Sequence, residues 1–131
     1  MLKLKRAYAT PTEDDGFRIL VDRLWPRGVA KVSARIDLWF KDIAPSTQLR
    51  QWFGHDPARW DVFRQRYFAE LQQHPATVAQ LLAHINHGPV TLIYGARDEA
   101  HNHAVALKEF VERIRPRKAR RPPAKQRKAN R

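Results

Sequence analysis

The chain has 131 residues, 43% of them hydrophobic, with four Trp and six Phe, enough apolar material for one domain with its own core. It contains no cysteine, which excludes a disulfide framework, a thiolate nucleophile and Cys-ligated zinc or iron–sulfur sites, and no apolar run approaches the roughly 20 residues that span a bilayer. The formal net charge is +12, but nine of the 25 Lys and Arg and none of the acids fall in residues 115–131, so residues 1–114 carry 16 basic and 13 acidic side chains, a net of +3.

Leu2 and Leu4 alternate with Lys3 and Lys5, the period-2 pattern of a strand with one wet face, which places the first strand at or near a sheet edge. The same alternation stands where a secretory signal would carry an unbroken apolar stretch, so a cytoplasmic location is expected. Thr10 to Gly16 is dense in turn formers and too short for an ordinary helical crossover, so the first two strands are antiparallel or joined by a reduced crossover. Ile19, Leu20 and Val21 form a continuous branched apolar run, as in a strand covered on both faces, and Pro26 ends its ladder by removing a backbone donor. Ile36, Trp39 and Phe40 suggest a short helical turn that returns its apolar side to the core.

Ser46 is a good N-cap for a short helix carrying Leu49, Trp52 and Phe53 on one face, and Gly54 ends it. Asp56-Pro57 opens the next helix, whose stripe is Trp60, Phe63, Tyr67 and Leu71. A helix near 76–86 follows, with Val78, Leu81, Leu82 and Ile85 at helical spacing, stopped by Gly88-Pro89. Val90 to Tyr94 reads as a second core strand, parallel to and beside the Ile19 strand, followed by a helix from about Glu99 to Ile114. The fold class predicted is a small α/β domain over residues 1–114, with a sheet of three or four mostly parallel strands covered by helices. Residues 115–131 form a basic tail with two successive prolines and little to bury, expected to be disordered.

The segments Asp15-Gly16, Ile19 to Gly28 (Ile-Leu-Val-Asp-Arg-Leu-Trp-Pro-Arg-Gly), Ala44-Pro45-Ser46, Leu49 to Phe53, Trp60 with Phe63, Tyr94 to Asp98, and Asn102-His103-Ala104 together resemble the YeaO-like branch of the domain-of-unknown-function 488 family. The likeness covers about residues 1–114 and leaves the basic tail outside. It implies a small α/β domain of bacterial cytoplasm without an assigned reaction. The wider family carries Asp-Val-Arg after its second strand and Cys-His-Arg in its last helix. Here Asp22 and Arg23 are adjacent, and Asn102-His103-Ala104 stands at the second motif, so the cysteine and its chemistry are absent.

Ligands of open α/β sheets bind outside the strand carboxyl ends, which makes the corner from Asp22 to Arg27 and the loop after Tyr94 the candidate site. Arg23, Arg27 and Arg97, with the first N–H groups of the last helix, suit a phosphate or carboxylate. Against this stands a structural ion pair of Arg23 with Asp22 or Asp98. Trp25 is a platform for a ring or a packed corner. His103 and Asp22 are the candidate catalytic pair, with His103 as general acid or base, and the competing role of each is structural. His55 is a candidate for the rim. His101 and His103, two apart on a helix, point in different directions and make a poor metal pair, and no glycine-rich phosphate loop or dinucleotide fingerprint is present, so no metal and no cofactor is expected. Ser46 is explained by capping. The tail residues Arg115, Arg117, Lys118, Arg120, Arg121, Lys125, Arg127, Lys128 and Arg131 are expected to bind nucleic acid nonspecifically through counterion release. The functional expectation is an anionic, phosphate- or nucleotide-like ligand at the strand ends. A nucleic-acid-associated protein using its tail and an interaction module without chemistry are the alternatives.

Overall fold

A computed structural model describes residues 2–115. Four strands, β1 (Leu2–Arg6), β2 (Phe17–Leu20), β3 (Leu38–Trp39) and β4 (Val90–Tyr94), form one sheet in the order β1-β4-β2-β3, and every neighbouring pair is parallel. The helices are α1 (Lys31–Ala34), α2 (Thr47–Phe53), α3 (Trp60–Gln72), α4 (Pro75–His87) and α5 (His103–Ile114). This is the α/β class expected, and β4 lies beside β2 in the predicted direction.

The order follows from burial. All five residues of β4 are buried, so it needs a neighbour on each side, and it inserts between β1 and β2. The first two strands are therefore parallel and not adjacent, which removes the antiparallel option and leaves the reduced crossover, carried by a single 3-10 turn at Glu13–Asp15. β1 occupies the edge, as its lysines indicated.

Side chains alternate across the sheet. Leu2, Ile19, Val21, Val90, Leu92 and Tyr94 meet the main core with Phe53, Phe63, Tyr67, Leu81, Leu107 and Phe110 from the helices. Ala7, Leu20 and Ile93 point the other way, into a smaller cluster closed by Trp25, Val29, Ile36 and Trp39. The long helices thus cover one face, and the other is closed by short segments: Arg18, buried in β2, reaches across to the carbonyl oxygens of Ala34 and Arg35 at α1.

Two expectations are corrected. The segment at Ile36 to Phe40 is not a helical turn; Leu38 and Trp39 pair with Ile19 and Leu20 as a fourth strand, sending Leu38 and Phe40 to the helix side and Trp39 to the other. The last helix begins at His103, not near Glu99, because Asn102 accepts the Val105 N–H as its cap while Asp98 holds a separate turn by accepting from Ala100 and His101. Ser46 and Asp56 cap where expected. Apart from Arg115, which is described and half-buried, the tail residues assigned to nucleic acid lie outside the described residues.

Candidate functional site

The carboxyl ends of β2 and β4 open into a cavity of about 410 Å³. Its floor is set by a close approach: the Gly95 N–H donates to Asp22 Oδ2 at 2.9 Å, and a Cβ on Gly95 would lie 2.9 Å from that oxygen and 3.3 Å from Pro26 Cβ. Gly95 is the residue that lets the two strand ends meet. Asp22, Arg23, Trp25, Arg27 and His103 all line the cavity, together with the exposed His55.

Asp22 and His103 are in contact. His103 Nε2 lies 3.0 Å from Asp22 Oδ1 and 3.0 Å from the Val21 carbonyl oxygen. A ring nitrogen that close to two acceptors must carry its proton, and that proton is aligned on the carbonyl; Asp22 Oδ1 is shielded from solvent with no aligned donor. Nε2 is therefore occupied, and a general-base role would fall to Nδ1.

The three arginines around the cavity are Arg23, Arg27 and Arg50. Arg23 turns away from both aspartates offered to it, donating through Nε to the Pro45 carbonyl at 3.3 Å and through Nη2 to the Ala44 carbonyl at 3.2 Å. The expected pairing with Asp22 or Asp98 is not formed. Arg27 is exposed at the corner, whose carbonyl accepts from the Tyr8 hydroxyl at 2.7 Å. Among the described residues no carboxylate lies within ion-pair distance of these three side chains. Arg50 carried no role in the sequence reading. Its signal was its place between Leu49 and Phe53, on the shoulder of the buried face of α2.

Arg97 and Asp98 stand apart. Neither lines the cavity; Arg97 is exposed, and Asp98 takes the Nδ1 of His101 at 3.0 Å besides its two backbone donors. The bond from the Ala100 N–H, with those from His101, lowers the Asp98 carboxyl below its ordinary range. Trp25 is a packed corner: its Nε1 donates to the Val29 carbonyl at 2.7 Å and its ring packs edge-on against Trp39, while the residue also lines the cavity. Beneath the arginines, Tyr67 donates to the Ile43 carbonyl at 2.5 Å. Burial, reinforced by Glu70, pushes its hydroxyl well above the usual range, so it remains a donor. Glu70 in turn accepts from the Ser46 N–H at 2.9 Å and its hydroxyl at 2.6 Å, which fixes Ser46 as a cap.

Parallel strands with a cationic crevice at their carboxyl ends define a small α/β domain built to present a polar pocket at the usual place for that architecture. The chain belongs to the DUF488-N3i family, described as the inactive DUF488-N3 subclade, whose pattern matches residues 1–127. The match thus reaches into the basic tail, past the limit near residue 114 that the resemblance had suggested. The chain is similar to the uncharacterized protein YeaO of Escherichia coli (strain K12), 40% identical over 113 residues that make up 86% of this chain and 98% of the relative. It is also similar to the uncharacterized protein Rv3073c of Mycobacterium tuberculosis (strain ATCC 25618 / H37Rv), 39% identical over 110 residues, 84% of this chain and 92% of the relative. No solved structure matches the chain. Among the described residues no helix is long and apolar enough to cross a membrane.

Proposed function

We propose that the chain binds a small anionic ligand at the carboxyl ends of β2 and β4 and does so without turnover. The observation that carries this reading is the set of three arginines around one cavity, facing a single aspartate already engaged with Gly95 and His103. Guanidinium groups without a carboxylate partner repel one another and gain charge-assisted bonds from an anion, each contributing about 1.5–3 kcal/mol. One fact favours binding over catalysis: Asn102, standing where the wider family's motif has cysteine, is a buried helix cap bonded to Asp98 and Val105. The description of the family as inactive agrees with that reading.

The test is a thermal-shift titration of the full chain with inorganic phosphate at fixed salt. Stabilisation should follow RT ln(1 + [L]/Kd), about 2.7 kcal/mol at a hundred times Kd. The double variant Arg27→Ala/Arg50→Ala should lose most of that shift, and Arg97→Ala, outside the cavity, should keep it. The basic tail contributes a background common to all three proteins. Equal shifts in all of them would refute a site in the crevice.

A further inference from the structure

The class of ligand can be narrowed, on the footing of the binding reading above, from what the cavity demands besides negative charge. Asp22 has four acceptor positions on two oxygens but receives one aligned hydrogen bond, from Gly95 to Oδ2. Its side chain lines the cavity and is 17% exposed, and because Oδ1 is shielded, a ligand hydroxyl meeting this carboxylate would do so at Oδ2. A carboxylate so placed repels a bare phosphate and attracts a hydroxyl. One small inorganic ion therefore meets the arginines and leaves the aspartate opposed.

Size and wall chemistry point the same way. About 410 Å³ lies within the roughly 300–1,000 Å³ typical of organic-ligand pockets. The walls include Leu24, Trp25, Pro45 and Phe53, and Leu24 is 65% exposed, a large apolar side chain left at the mouth. At the rim His55 has a left-handed backbone with φ of 58°, and its ring tilts against Phe53, centroids 6.2 Å apart. Apolar walls beside three arginines and one open acceptor match a molecule with three parts: an anion, hydroxyl groups next to it, and a flat ring beyond.

We propose that the ligand is a nucleotide, its phosphate held by Arg23, Arg27 and Arg50, a ribose hydroxyl donating to Asp22, and its base lying along the apolar wall formed by Leu24, Trp25 and Phe53. Stacking on such a wall is tolerant of base identity, so the class is fixed more firmly than the base.

Isothermal titration of the full chain with inorganic phosphate, ribose 5-phosphate and adenosine monophosphate at one salt concentration tests it. The nucleotide should bind about tenfold tighter than ribose 5-phosphate, and that ligand tighter than phosphate. Asp22→Asn should weaken the nucleotide and the sugar phosphate by about tenfold while strengthening inorganic phosphate, because it removes a negative charge from the pocket. If Asp22→Asn does not fold, the order of the three ligands on the unaltered protein decides. Phosphate binding that depends on Arg27 and Arg50 but gains nothing from ribose and base would overturn the nucleotide and leave the anion site standing. No binding by any of the three would defeat both. Nucleotide binding unchanged in Arg27→Ala/Arg50→Ala would assign it to the basic tail and overturn the inference.

Discussion

Two aspartates bracket β2, and their surroundings differ in a way that separates architecture from an available site. Asp15, before the strand, has every acceptor position used: Oδ1 takes Lys5 Nζ at 2.8 Å and the Thr12 hydroxyl at 2.9 Å, and Oδ2 takes Arg18 Nη1 at 2.6 Å and the Thr12 N–H at 3.0 Å. Asp22, after the strand, receives one aligned bond, and the arginine next to it in sequence bonds to carbonyls instead. Burial alone would raise the Asp15 carboxyl, but the Lys5 bond, the two from Thr12 and the one from Arg18 outweigh it and hold the group far below the ordinary carboxylate range. A saturated carboxylate holds the fold together. An unsaturated one beside arginines without a carboxylate partner leaves capacity for something from outside.

Removing the saturated group should have the largest effect. Asp15→Ala leaves Arg18, 3% exposed, as a buried charge without its partner, and should cost about 3–5 kcal/mol in denaturant unfolding. A loss below 1 kcal/mol would show that the Ala34 and Arg35 carbonyls alone satisfy the guanidinium.

Acid should expose the same difference. Because the folded pKa of Asp15 lies below the unfolded value of about 3.9, its stabilising contribution is complete above that pH and is lost as pH falls through the window below about 4. Between about pH 4 and pH 2 the protein should lose stability more steeply than Asp15→Asn, measured by melting temperature across the series. Parallel curves would place the acid sensitivity elsewhere.

The smallest effect is expected at the other aspartate. Asp22→Ala removes one backbone partner, and water in the cavity can reach the Gly95 N–H, so the cost should be about 1 kcal/mol. A loss as large as that of Asp15→Ala would erase the distinction between the two and make Asp22 a structural residue.

The pattern of apolar residues made much of this legible in advance. The run Ile19-Leu20-Val21 predicted a strand covered on both faces, and all three are fully buried. The stripe on α3 and the caps at Ser46 and Asp56 were equally plain, because capping and helical spacing are local. What failed did so for a nonlocal reason. Leu38 and Trp39 have too little sequence to declare a strand, and only the free edge of β2 recruits them. Arg97 is near His103 in sequence, but the turn held by Asp98 carries it out of the cavity, whereas Arg50, distant in sequence, is brought in by α2.

Taken alone, the sequence determined the α/β class, the parallel pairing of β2 with β4, and the corner at Asp22–Arg27 as the place to look, because strand burial, proline and capping act over a few residues. Tertiary structure decided strand order, which arginines face the cavity, and which aspartate is left with unused acceptors. Those depend on the partner each charged side chain finds across the fold, and a guanidinium that can bond equally well to a carboxylate or to a carbonyl chooses by geometry that no local pattern encodes.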